Sequence, residues 1–399
     1  MNLRIRNFKC FYDIDIPLGS LTILAGKNGS GKSTVIQSLL LLRRTIEHCG
    51  VWKSDHFEYN EINSLNVELN GPYCMGLGSS INILPIHFQD SKVHLGLHRG
   101  QEEFTISYET NKGDELWITP EMITNKLAYL ENFLLPQEFY YLNAERIGPR
   151  ISQNIKFYDY YNVGSQGEFT AQIICDIDTL ETDTKFIIDH NRILDESVVK
   201  GNKFQHHVNA WLNFILEGVS ILPIKDHATH TARILVENFF SRGNPTFPTN
   251  TGFGISYSLP IIVSCLLAKN KRVMIIENPE AHLHPSAQSR MGYFLGIMAN
   301  SGVIIIVETH SDHIINGVQK AIAKKKINSE NVIINYFFNE EKTPQEIEEE
   351  KILGREQQPM LRTLRMDPAG QLSEWPRGFF DQTQIDYIDL LEIRRNLGV

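Results

Sequence analysis

The sequence predicts an α/β fold: a mixed sheet core built on a phosphate-binding loop, with an antiparallel β lobe, a helical insertion and no long coiled coil. Three observations carry this expectation. Gly26-Lys27-Asn28-Gly29-Ser30-Gly31-Lys32-Ser33 fits G-x-x-x-x-G-K-[ST], with the apolar run Leu21 to Ala25 before it and a helical stretch from Val35 to Leu42 after it. Two more apolar runs, Val273 to Ile276 and Val303 to Val307, flank a helical stretch from Ser286 to Met298, which reads as a βαβ unit of a buried parallel sheet. Between Cys49 and Thr110 short runs separated by Gly, Asn and Asp read as a β-rich region.

Taken in order, Leu3 to Phe11 alternates and Ile14 to Ile16 follows before Pro17 and Gly19, which predicts a hairpin leading into the loop strand. Val67 to Leu69, Ile81 to Ile83, Val93 to Leu95 and Phe104 to Ser107 are strand candidates, Pro120 to Leu134 reads as a helix, and Phe139 to Leu142 as a buried strand. Turn residues cluster from Glu145 to Glu168, as a solvated linker or a loop facing a nucleotide or partner. Segments 170–180 and 203–217 are expected to be helical, and Ile221 to Val236 returns to short strands. The charged stretch Glu340 to Glu356 reads as a solvated excursion. After it come strand-like alternation from Leu361, an aromatic turn from Trp375 to Asp381 and an amphipathic helix from Ile385 to Leu397. The expected organisation is a first part of the core at 1–50, a β-rich and helical insertion at 51–250, a second part of the core at 251–338 and a C-terminal module at 339–399.

A chain of 399 residues with 42% hydrophobic and 21% charged residues can bury a large core. The net charge of −9 excludes a uniformly basic surface and leaves local basic patches open. Five scattered cysteines without C-x-x-C argue against a disulfide framework and a zinc site, and His206, His207, His227 and His230 match no standard ligand spacing. The start MNLRIRNFKC has no apolar signal core, and apolar runs fall well short of the ~18 residues of a membrane span, so a cytoplasmic protein is expected.

The loop's glycines let successive N–H groups and a helix N-terminus face one anion, with Lys32 for the β- and γ-phosphates of ATP and Ser33 for Mg2+. Asn28, Gly29, Ser30, Gly31 and Thr34 complete the expected cradle. Glu277 ends one buried strand, where it can hold the metal, and His310 follows the end of the next, where it can contact the γ-phosphate.

With Asn7-Phe8-Lys9, Gly26 to Ser33, Glu277-Asn278-Pro279-Glu280-Ala281-His282-Leu283-His284-Pro285 and Glu308-Thr309-His310-Ser311, the chain resembles the ABC-type ATPase heads of the SMC and recombination-repair class, and more closely the stand-alone ATPases related to the OLD family. The resemblance covers residues 1–50 and roughly 250–315. It implies an ATP-sandwiched homodimer or higher oligomer, with a signature motif at Thr251 to Ser256 in which Gly252, Gly254 and Ser256 contact the partner's nucleotide. It also implies that His284 lies at the dimer interface. Asn278 stands where the class has its catalytic glutamate, and asparagine cannot take a proton from water, so Glu280 is the expected substitute. The stretch Trp375 to Gln382 is similar to a C-terminal module of such bacterial ATPases. No coiled-coil arms fit between residues 45 and 250, and too little chain follows His310 for the nuclease module of the OLD family. The resulting expectation is an ATPase that gates a separate effector, such as a nuclease or toxin, in bacterial defence against phage. Its alternatives are a repair ATPase gripping DNA and a scaffold with little hydrolysis.

Overall fold

The computed structural model describes residues 1–53, 56–58, 65–86, 90–110, 113–126, 133–179, 188–194, 203–241, 243–339 and 358–397. The chain begins with a hairpin of β1 (Asn2–Phe8) and β2 (Phe11–Pro17), then β3 (Leu21–Gly26) and the long helix α1 (Lys32–Cys49). The β-rich stretch follows as β4 (Val51–Lys53), β5 (His56–Glu58), β6 (Val67–Glu68), β7 (Lys92–Arg99), β8 (Glu102–Glu109) and β9 (Trp117–Lys126). Next come β10 (Phe139–Leu142), β11 (Gln153–Asn154), α2 (Thr170–Asp178), α3 (Phe204–Ile215), β12 (Ser220–Asp226) and β13 (Thr231–Glu237). The last third holds α4 (Phe253–Leu267), β14 (Val273–Glu277), α5 (Pro285–Asn300), β15 (Ile304–Glu308), α6 (Asp312–Ala323), β16 (Val332–Phe338), β17 (Met360–Leu364) and α7 (Gln382–Asn396).

Two six-stranded sheets organise these elements. The central one runs β10-β14-β15-β3-β16-β17, parallel throughout except for β17. The other, β2-β1-β7-β8-β9-β6, is antiparallel. Side chains from the two faces of the central strands enter different cores. Met274 and Ile276 of β14, with Ile23 of β3, pack against α2 to α6, whereas Val273, Ile275 and Leu24 pack against α1 and the antiparallel sheet. Burial on both faces is why these strands read as unbroken apolar runs, and why β1, with solvent on one side, alternates. The carboxyl ends of β14, β15 and β3 share one edge of the sheet, where ligands of open α/β sheets bind.

Three expectations need correction. Residues 120–126, expected to start a helix, belong to strand β9, and residues 127–132 of that expected helix lie outside the described residues. The run carries β-forming Trp117, Ile118 and Thr119, and Pro120 is tolerated because, among the described residues, β6 pairs with Trp117 and Ile118 alone and leaves that side of Pro120 on the sheet edge. Ile81 to Ile83 is a turn, closed by the Asn82 side chain accepting from the Ser79 N–H (2.9 Å). The closing helix forms, but no residue of it is buried. The acidic stretch Glu340 to Glu356 lies outside the described residues. Among the described residues no helix is long and apolar enough to cross a membrane.

Candidate nucleotide site

The loop after β3 requires its glycines. A Cβ at Gly26 (φ 142°) would meet the Phe337 carbonyl oxygen at 2.2 Å, and one at Gly31 (φ 95°) would meet the Phe11 ring at 2.6 Å. Gly31 caps α1 without a side-chain hydrogen bond, so the first-turn N–H groups are donors for an anion. Ser30 Oγ donates to the Lys27 carbonyl (2.8 Å) and fixes the loop, while Asn28 and Gly29 are exposed at its tip. Lys32 is buried and donates to the carbonyls of Gly26 and Lys27, both at 2.9 Å. Burial pushes its pKa down, opposed by the charges of Glu308 and Glu280. Thr34 accepts a hydrogen bond from the Cys10 thiol (3.6 Å). An open cleft of about 410 Å³ lies over the loop, lined by Lys9, Cys10, Lys32, Ser33, Asn82 and Ile86 among others.

Three carboxylates gather beside this loop, two at strand ends and one in the turn after β14. Glu277 and Glu308 are register partners at the ends of β14 and β15. Glu308, which stood out in the sequence only as part of E-T-H-S, is the closest to the loop: Ser33 Oγ donates to it at 3.1 Å, and Lys32 Nζ lies 3.9 Å away. Burial, reinforced by the Glu277 charge, pushes the Glu308 carboxyl up to about 7, with Lys32 and Ser33 pulling the other way. Glu277 accepts from the Tyr141 hydroxyl (2.8 Å), and burial raises its pKa too. Glu280 accepts from Thr309 Oγ1 (2.8 Å) and from the His310 N–H (2.7 Å), so both oxygens are engaged in holding the turn that carries His310. Desolvation, with the Lys32 charge behind it, pushes the His310 imidazole below its usual value. The structure therefore brings Lys32, Ser33, Glu277, Glu280 and His310 to one place and adds Glu308 and Tyr141.

Arg146 is a second residue the sequence hid inside a turn cluster. Its guanidinium donates to the carbonyls of Glu277 (2.7 Å), Asn143 (3.1 Å) and Asn278 (2.6 Å), and lies 5.1 Å from the centre of the Tyr257 ring. Burial lowers its pKa to about 10. It ties the end of β14 to helix α4. No sequence spacing announces this, because the partners are backbone oxygens. Asn278 adopts φ 44°, and its buried Oδ1 has no protein partner among the described residues.

The turn Gly252 to Ser256 lies elsewhere. Gly252 caps α4, Phe253 stacks on His282 (5.0 Å between ring centres), and Tyr257 meets the same ring edge-on (4.5 Å). A Cβ at Gly254 would meet the His282 carbonyl at 3.1 Å. Ser256 lines a small pocket with Arg150 and Arg233, and none of the residues lining the phosphate-loop cleft comes from this turn. His284 Nδ1 accepts from the Ser286 N–H (3.3 Å) and so caps α5.

The model of the family described as "AAA ATPase domain" matches residues 1–209, more than half of the chain. The chain belongs to this family. A second model, whose description includes the words "AAA domain" and "Type IV TA system", matches residues 139–316, and "Protein of unknown function (DUF3696)" matches residues 327–390. Among curated proteins, the OLD nuclease of Thermus scotoductus is 30% identical over 109 residues, which are 24% of this chain and 19% of that one. The chain thus spans about a fifth of that relative's length. Solved structures with a similar outline include an Smc head bound to the C-terminal winged-helix domain of ScpA (12% identity, TM-score 0.48, covering 92% of this chain and 98% of that one). The SMC head domain from Thermotoga maritima is another (13%, TM-score 0.39, 85% and 94%). The strand order, with β15 between the loop strand and the Glu277 strand, sets the phosphate loop and both glutamate-bearing strand ends of this AAA ATPase on one edge of the central sheet.

Proposed function

We propose that this AAA ATPase domain protein hydrolyses ATP, closes around the nucleotide as a dimer or higher oligomer, and uses its nucleotide state to gate a separate effector. The observation that carries this reading is the convergence of Lys32 and Ser33 with Glu277 and Glu308 from two neighbouring strand ends. Mg2+ suits the all-oxygen donor set of the Ser33 hydroxyl and a carboxylate. Among the described residues no three His, Cys, Asp or Glu side chains form a ready metal cage, and Mg2+ bound mainly through phosphates and water does not need one. Ser33 and Glu277 would hold the ion, which when bound neutralises charge on the phosphate oxygens.

The chain's own residues supply the rest. Lys32 exchanges loop carbonyls for phosphate oxygens. Glu308 stands in for the base that Asn278 cannot be, since Glu280 has both oxygens committed to the His310 turn. Gly252, Gly254 and Ser256 serve the nucleotide of a second chain. The effector, a nuclease or toxin acting in defence against phage, is supported by the toxin–antitoxin wording of the second family model and by the partial likeness to an OLD nuclease. Steady-state phosphate release tests the reading: ATP turnover is expected from the wild type and lost in Lys32→Ala, and equal turnover in both would sink it. An effector that co-purifies with the Glu308→Gln chain in ATP, but not with Lys32→Ala, would identify the gated partner.

A further inference from the structure

We propose that α7 pairs antiparallel with α7 of a second copy of this chain, forming a dimer contact that holds without nucleotide. The helix starts from a fixed base. Phe379 is fully buried beside Tyr336 (5.1 Å between ring centres) and Trp375 (5.2 Å), and Asp381 accepts from the Gly378 N–H (2.8 Å). Beyond that anchor the chain runs for 15 residues as a helix with no buried residue. Tyr387, Ile388, Leu390, Leu391 and Ile393 are 47–61% exposed, and Leu397 just after the helix is 72% exposed. A lone helix of this length is marginal in water, and a run of exposed apolar side chains marks a contact surface.

The pattern of the side chains selects the occupant. Tyr387, Leu390, Leu391 and Arg394 fall at i, i+3, i+4 and i+7 on one stripe, Ile388 and Ile393 fall to its two sides, and Asp389, Glu392 and Asn396 lie opposite. Asp386 flanks the stripe one turn before Leu390, and Arg394 ends it one turn after. An antiparallel pair with its two-fold axis near Leu390 and Leu391 sets each Arg394 beside the partner's Asp386 and the partner's Tyr387, giving an ion pair and a cation–π contact at both ends. Parallel pairing would set arginine beside arginine and aspartate beside aspartate, and would align the helix dipoles unfavourably.

The experiment uses the full chain carrying Lys32→Ala, without nucleotide, in sedimentation equilibrium at 1–50 µM. A dimer is expected, and Leu390→Glu, which sets two carboxylates face to face at the axis, should weaken it at least tenfold with an unchanged circular dichroism spectrum. Arg394→Glu and Asp386→Arg should each weaken self-association, and an equimolar mixture of the two chains should restore it. A chain that stays monomeric overturns the proposal, whatever else its helix binds. A dimer indifferent to Leu390→Glu, or a mixture that does not pair, also overturns it. The ATP-dependent association proposed above is read separately, in the wild type with nucleotide, and survives or fails on its own.

Discussion

Two helices of this protein start at glycines, and their N-termini are built to different plans. At α1 the capping Gly31 is left-handed, the loop folds back on itself, and a buried lysine, a serine and three carboxylates stand within reach. At α4 the capping Gly252 is extended (φ −70°, ψ 154°), a Cβ there would meet nothing within 4 Å, and Phe253 beside it is half exposed. Arg146, which lies against the Tyr257 ring of that helix, has its guanidinium spent on the carbonyls of Glu277, Asn278 and Asn143. The first terminus is a complete half of an anion site. The second has N–H donors and open space at Gly252, with Arg150 and Arg233 in the pocket that Ser256 lines, a design suited to a surface that meets a phosphate already held elsewhere. The contrast supports assigning the second terminus to another chain's nucleotide.

Mixing two dead chains gives the largest effect and the sharpest test of that contrast. Lys32→Ala should lower turnover by about 10³-fold or more, by removing the charge at the cradle. Gly252→Glu should do nearly the same in an otherwise intact fold, because the open space accepts the side chain and its carboxylate repels a phosphate. If the two termini act in different chains, an equimolar mixture regains roughly a quarter of wild-type phosphate release, since half of random dimers hold one whole site of two. No recovery would place both termini in one chain's site and break the comparison.

Next in size are the carboxylates. Glu308→Gln should cost roughly 10²- to 10³-fold in kcat with ATP binding retained, the range of a lost general base together with altered electrostatics. Glu280→Gln should cost about tenfold, because the amide oxygen can still accept from the His310 N–H while its NH2 group donates to Thr309 Oγ1. The reverse ranking would return the base to Glu280. Arg146→Ala should lower kcat several-fold and reduce thermal stability, since it leaves buried carbonyls of the Glu277 strand end unpaired. Arg146→Lys, which keeps the charge without the planar fork, should restore only part of either loss.

These rankings also separate what the sequence carried from what it could not. The loop, its strand and its helix were legible because every constraint there is local: glycines for backbone conformation, an apolar run for a buried strand, lysine and serine at fixed offsets. Glu277 and His310 were legible as strand-end residues for the same reason. Glu308 was not singled out because its importance comes from register, which sets β15 between the loop strand and the Glu277 strand and turns an ordinary strand end into the nearest carboxylate. Arg146 was hidden because its partners are carbonyls, two of the three more than 100 positions away, which no side-chain pattern encodes. Residues 120–126 were misread because Pro120 resembles a helix start, whereas a sheet edge accommodates it equally well.

The smallest expected effect concerns the cradle without nucleotide. Glu308 is held protonated up to about pH 7 in the folded chain, against an ordinary carboxyl value near 4.5 once unfolded. Between those two values the folded state binds the proton that the unfolded state releases, so stability falls as pH rises through this window and levels off above it. The melting temperature of the nucleotide-free wild type should therefore drop by about 2–4 °C more between pH 5 and pH 8 than that of Glu308→Gln, which has no proton to lose. Nothing comparable is expected for Gly252→Glu, whose new carboxylate lies in open solvent at α4 and titrates alike in both states. Equal pH slopes in wild type and Glu308→Gln would mean that the Glu308 carboxylate is already charged beside Lys32 at pH 5, and the cradle would then have to carry a full ion pair before ATP arrives.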